Sequence, residues 1–402
     1  MKIMHTSDWH IGKVVNEFSM IEDQKYMLNK IIDKIEQTNT EVLIIAGDIY
    51  DRSLPPTEAV ELLNETLSTL VLDKKIKVVA ISGNHDSGER LAFASTILEK
   101  QGLYIAGRDD ELFKKVSIKS KLSKDEVDFY LVPYKDPSLV RKILDNKEIK
   151  THNDAMKETI NEINKVKDND NINILVGHGY VTGKLEEAIE DIVHKYDIAG
   201  LETSESERPL SIGGTDLIDT NIFKDFDYVA LGHLHGRQRV GSENIRYSGS
   251  LLKYSFSEEN HKKGVVLLET LDNKISEINN IELKPLRDMR TVKGTMEEIL
   301  EKGRLEGSER EDYIQAIVTD EGELLNPMEK LRSVYKNTML KRSEVRESDR
   351  EDGKSASEGY KTKSELELFG EFYKEYGNFD YTSEKIEVIK DVIDEVLRKD
   401  EE

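Results

Sequence analysis

The sequence contains no cysteine, which removes disulfides, thiolate zinc sites and a cysteine nucleophile together. Any metal must then be held by oxygen and imidazole. Nor is there a run of the roughly 18 apolar residues that a membrane helix needs. The opening residues, Lys2-Ile3-Met4-His5, enter a strand-like segment without the basic, apolar and small-residue regions of a secretory signal. A cytoplasmic protein with no membrane partner is expected. Positive charge is also short: 58 Lys and Arg against 80 Asp and Glu leave a formal charge of −22. That balance excludes a protein that grips nucleic acid through its overall field, so such binding would need bound cations or a basic partner. The single tryptophan, Trp9, lies beside two candidate site residues, Asp8 and His10, and reads as a packing wall.

What is present is the composition of a globular chain, 37% hydrophobic and 34% charged. A length of 402 residues suggests one large domain with smaller attachments. Short apolar runs at Ile3 to Thr6, Val42 to Ala46 and Val78 to Ser82 alternate with helical patterns at Ile21 to Ile35 and Ala59 to Leu70, as in βαβ units. Further strands are expected at Phe129 to Pro133, Asn173 to Gly177, Tyr228 to Gly232, Arg246 to Ser248 and Gly264 to Leu268, enlarging an α/β core to a two-sheet sandwich flanked by helices. This core spans residues 1–286. Residues 287–345 read as a small α+β domain, with strands at Arg290 to Lys293 and Tyr313 to Thr319 and helices at Met296 to Glu301 and Met328 to Tyr335. Residues 346–363 have almost no aliphatic side chains and read as a linker. Residues 364–402 carry two apolar stripes separated by a turn at Gly377-Asn378, the pattern of a helix pair that docks on a partner.

Five short segments carry the chemistry: Ser7-Asp8-Trp9-His10, Gly47-Asp48-Ile49-Tyr50-Asp51, Gly83-Asn84-His85-Asp86, Gly177-His178-Gly179 and Gly232-His233-Leu234-His235. They fall in loops at strand ends, where α/β sheets form their ligand crevices. An Asp-x-His or His-x-His pair on extended chain sends both side chains to one side. One such segment alone would read as a cap or a core histidine; five together read as a metal centre. Carboxylate, amide and imidazole without thiolate suit Mn²⁺, Fe or Zn²⁺, and a shared carboxylate suits two ions.

In this order the five segments resemble those of the calcineurin-like metallophosphoesterase family. Asp227 to His235, Ser206 to Gly214 and Tyr247 to Ser250 are similar to the SbcD-type nuclease subunits of bacterial SbcCD complexes, and the resemblance spans nearly the whole chain. It implies that Asp8, His10 and His235 hold one divalent ion, manganese by analogy, and that Asp48 bridges to a second held by Asn84, His178 and His233. His85 would be the general acid, oriented by Asp86. The resemblance implies a cap domain over 287–345 and a terminal helix pair docking on the coiled coil of an SbcC-type ATPase. A homodimer within a heterotetramer would then act on DNA, as a 3′–5′ double-strand exonuclease and a single-strand and hairpin endonuclease. The role of Asp51 is open, with orienting a ligand as one reading, and Lys13, Arg52, Arg90, Arg208 and Arg237 are candidate phosphate contacts or plain surface charge. His5 is expected in the core or behind the ligands, and His152, His194 and His261 on the exposed surface. Two other readings use the same motifs: a phosphatase or small-molecule phosphodiesterase, which would need no cap or helix pair, and a scaffold without catalysis, which would not need every ligand.

Overall fold

A computed structural model of the chain describes residues 1–186, 188, 201–207, 215–320 and 324–343. The described residues belong to one compact unit within Met1–Glu344. The expected linker and helix pair at 346–363 and 364–402, His194 and Arg208 lie outside the described residues.

The first apolar runs do form strands: β1 (Lys2–Thr6), β2 (Val42–Ala46), β3 (Lys77–Ile81) and β4 (Leu103–Ala106). They continue with β5 (Lys114–Lys119), β6 (Glu126–Leu131), β7 (Ile172–His178), β8 (Tyr228–Gly232), β9 (Ile245–Tyr247), β10 (Gly264–Leu271) and β11 (Lys274–Glu282). One six-stranded sheet runs β11-β10-β1-β2-β3-β4; a second runs from a short strand at Gln238–Arg239 through β9-β8-β7-β6-β5. In the first sheet β1 to β4 are parallel; in the second β6 to β9 are. Strand β2, Val-Leu-Ile-Ile-Ala, is buried at every position, as a parallel strand covered on both faces must be.

Between the sheets, Ile3, Ile44 and Val79 meet Phe129, Ile174 and Ala230 in a shared core. Helices α1 (Ile21–Thr38) and α2 (Thr57–Ser68) cover the outer face of the first sheet, with Met27, Leu28, Ile31 and Ile35 pointing inward at helical spacing. Helix α3 (His152–Asn164) covers the second, and Ile160 and Ile163 pack there against Leu175 and Tyr130. Its start is secured by a capping box in which the Thr151 side chain and Asp154 serve each other's backbone amides.

Strands β4, β5 and β11 escape the sequence pattern. β4 is four residues long, and β5 and β11 are edge strands whose outward positions are Lys, Ser, Glu and Asn. Charged edges resist pairing with other chains, and the same charges mask the apolar alternation. β6 begins three residues before the expected Phe129, because Glu126 to Asp128 pair with β5.

From Met289 onward a three-stranded sheet, β12 (Met289–Gly294), β13 (Tyr313–Val318) and β14 (Asn337–Ser343), carries helices α4 (Met296–Leu305) and α5 (Pro327–Arg332). All its pairs are parallel. Val292, Ile299, Ile314, Ala316 and Leu331 give it a core of its own. Strand β14, Asn-Thr-Met-Leu-Lys-Arg-Ser, was not expected, since its apolar content is too low to register; α5 stops at Arg332, three residues short of the expected end.

Candidate metal centre

The five segments lie at the C-terminal ends of β1, β2, β3, β7 and β8, in the last strand residues or the loops just after them, and converge where the parallel strands of both sheets end. Backbone bonds lock the first two loops together: the amides of Asp8, His10 and Ile11 donate to the carbonyls of Gly47, Asp48 and Ile49 at 3.0, 3.0 and 2.9 Å. The two sheets touch here through side chains. His178 Nδ1 lies 2.9 Å from the Ala46 carbonyl, and Asp8 accepts the His233 amide at 2.9 Å. Such proximity demands glycine at Gly47, with φ +89°, where a Cβ would collide with the His178 ring; at Gly232 a Cβ would strike the Ala46 carbonyl. Asp8, His10, Asp48 and His233 themselves sit at positive φ (52°, 45°, 48° and 107°), a strained arrangement that recurs at functional sites.

Asp8, His10 and His235 bring one ligand atom each within 4.8 Å of one another, and so do Asp48, His178 and His233. Asn84 joins the second triad: its Oδ1 is 3.0 Å from His178 Nε2 and 2.8 Å from His233 Nδ1. Asp48 lies between the triads, its Oδ2 being 3.4 Å from His178 Nε2 and 3.8 Å from His10 Nε2. The Nε2 atoms of His10 and His235 face each other at 3.0 Å, a distance at which two bare lone pairs repel unless a proton or a cation is shared. The seven residues predicted as ligands are therefore gathered in one place, all but Asn84 buried. Their donor set, without sulfur, fits divalent ions of intermediate hardness.

Electrostatics agree with that fit. Burial pushes Asp8 up to about 6, although His178 and His235 oppose it. Burial would also raise Asp48, but the charge and hydrogen bond of His178 hold it well below the usual carboxylate range. Burial works to lower His178, and the Asp48 carboxylate overcomes it, giving about 9. His10 and His233 are driven by burial well below the usual imidazole value. Two carboxylates thus draw positive charge into a dry volume, a demand that divalent cations meet.

His85 stands half-exposed at the edge of the cluster, its ring centroid 4.9 Å from that of His10. The expectation that Asp86 orients it is corrected here. His85 Nδ1 lies 2.8 Å from the Asp51 carbonyl oxygen, whereas Asp86 accepts the amides of Ile49, Tyr50 and Gly83 at 3.1, 2.9 and 2.9 Å. Asp86 binds the second and third loops to each other, because three converging N–H groups outcompete one ring for its oxygens. Asp51, whose role is open from sequence, accepts from Lys13 Nζ at 2.8 Å and lies 3.8 Å from His10 Nδ1.

Other predicted positions divide. Trp9 is fully buried and donates Nε1–H to Thr6 Oγ1, a packing wall as expected. His5 is core, between the Tyr228 hydroxyl and the Leu231 carbonyl at 3.1 and 3.2 Å. His152 and His261 are half-buried where exposure was expected, because the fold brings each an acid: Asp216 at 3.7 Å and Glu258 at 3.9 Å. Lys13 is occupied by Asp51, and Arg52 and Arg90 are exposed. Sequence reading marked Ser206 and Glu207 only as part of a family-like segment and missed Glu258 and Lys263, which join them in a polar group behind His235. Isolated polar residues in loops carry no periodicity, so no pattern marked Glu258 or Lys263.

Comparison with known proteins matches residues 1–237 to the calcineurin-like phosphoesterase family and residues 285–376 to the Type 5 capsule protein repressor C-terminal domain. Relatives that bear the name of the D component of nuclease SbcCD, from Staphylococcus epidermidis and Staphylococcus saprophyticus, are 36% and 38% identical to this chain, each over 84% of both proteins. Among solved structures, a dimetal phosphatase from Danio rerio aligns with a TM-score of 0.38 and 11% identity over 70% of this chain and 99% of that one. With its buried histidine and carboxylate cluster at the strand ends, this chain belongs to the SbcD nuclease family of the calcineurin-like phosphoesterases.

Proposed function

We propose that the chain hydrolyses phosphodiester bonds in DNA as the nuclease subunit of an SbcCD-type complex, with an SbcC-type ATPase as its partner. The observation that carries this reading is the convergence of seven metal-type side chains in a chain whose relatives are SbcCD nuclease subunits. Asp8, His10 and His235 would hold one ion and Asn84, His178 and His233 the other, with Asp48 placed to serve both. Manganese suits this donor set, and two ions held there would supply Lewis-acid chemistry for phosphodiester hydrolysis. His85 moves a proton. Its Nδ1 is engaged by the Asp51 carbonyl, which leaves Nε2 to protonate the departing sugar oxygen. The buried walls, Trp9 and Tyr254 among them, exclude water from the ligands.

In this reading residues 1–286 form the nuclease domain, 287–345 a cap that bears on DNA, 346–363 a linker and 364–402 the docking helices. The functional unit is a homodimer in a heterotetramer. Because the chain carries −22, its hold on DNA depends on the ions and on the partner's surface. The test uses the purified chain together with its ATPase partner and Mn²⁺ on linear duplex and hairpin DNA, with p-nitrophenyl phosphate in parallel. DNA cleavage is expected; hydrolysis of the phosphomonoester alone would establish the phosphatase reading instead.

A further inference from the structure

Behind His235 lies a polar group that the proposed reaction does not use. Ser206 Oγ is 2.6 Å from His235 Nδ1 and donates to Glu258 Oε1 at 2.5 Å; Glu258 Oε1 is itself 3.2 Å from the same nitrogen. Lys263 closes the group, donating to Glu258 Oε2 at 2.5 Å, to Ser250 Oγ at 2.8 Å and to the His235 carbonyl at 2.9 Å. Glu258 has no exposed surface and Lys263 only 6%. Glu207 adds a bond from the His235 amide at 2.6 Å.

These bonds determine a proton position. A carboxylate paired with a lysine only accepts, so the one hydroxyl hydrogen of Ser206 goes to Glu258. The Ser206 oxygen is then an acceptor, and His235 must donate from Nδ1. Its Nε2 is thereby left bare and aimed at His10 Nε2, 3.0 Å away. We infer that Glu258, clamped by Lys263, is a positioning residue that sets the tautomer and orientation of His235 for the ion shared with Asp8 and His10. The inference rests on the reading of those residues as ligands. The other triad has a weaker counterpart, since His178 Nδ1 meets only the neutral Ala46 carbonyl. A carboxylate behind a ligating imidazole raises its basicity, and losing it typically costs about 10- to 100-fold in metal affinity.

The test is Mn²⁺ binding by the full-length chain, followed by titration calorimetry and elemental analysis, for wild type and Glu258→Gln. Two ions in wild type establish the underlying reading; fewer than two defeat that reading and leave nothing for Glu258 to position. In Glu258→Gln one ion should weaken about 10- to 100-fold while the other stays within about twofold. Unchanged binding of both overturns the inference, and so does equal loss of both. A second measurement needs no variant: ¹⁵N imidazole spectra of the Zn²⁺-loaded wild type should show His235 protonated at Nδ1, and protonation at Nε2 overturns the inference.

Discussion

At the scale of single residues, the proposed roles separate holding ions from moving protons. Asp48 touches both triads, whereas His85 stands at their edge with its ring tied to a main-chain carbonyl. Asp48→Ala should therefore lower the metal count read by elemental analysis, and His85→Ala should keep it while cutting DNA cleavage by about 10²- to 10⁴-fold, the usual worth of a general acid. A full metal count in Asp48→Ala would remove its bridging role. Rapid cleavage by His85→Ala would assign the proton to another group. The types Asp, Asn and His and their loop positions were readable from sequence. That Asp51 would serve His85 through its carbonyl was not, because any residue type offers a carbonyl and only folding aims it.

At the scale of elements, two strands make separable predictions. Phe129 on β6 has no exposed surface and sits where the sheets face each other, so Phe129→Ala should cost about 3–5 kcal/mol, measured by urea denaturation. A loss under about 1 kcal/mol would mean that the intersheet core repacks around the gap. His5 on β1 is held neutral: burial lowers its pKa from 6.5 to about 3, against the opposing pull of the Leu231 carbonyl. Between those values the unfolded chain binds a proton that the folded chain refuses. Above pH 6.5 the group is without effect; below it, stability falls by up to about 1.4 kcal/mol per pH unit until about pH 3. His5→Phe should flatten that slope in denaturation curves taken across the window, and an unaltered slope would show that other groups set it. Central strands such as β2 were legible because burial on both faces leaves an unbroken aliphatic run. β5, β11 and β14 were not, since edge and small-sheet strands owe their pairing to neighbours.

At the scale of the whole molecule, every proposed ligand lies between Asp8 and His235, so removing residues 364–402 should leave the metal count intact. The same truncation should abolish co-purification with the ATPase partner; a complex that survives it puts the docking surface elsewhere. Among the described residues no helix is long and apolar enough to cross a membrane. By itself the sequence determined the ligand chemistry, since a chain without cysteine that ends successive strands in Asp, Asn and His can build only an oxygen and nitrogen centre. It determined the sandwich too, through aliphatic runs that must be covered on both faces. Tertiary structure alone decided where these carboxylates sit, placing Asp86 on the amides of Ile49 and Tyr50 and Glu258 behind His235. The physical reason is range: hydrophobic periodicity is written into neighbouring residues, whereas a hydrogen bond between residues 23 positions apart exists only once the chain between them has folded.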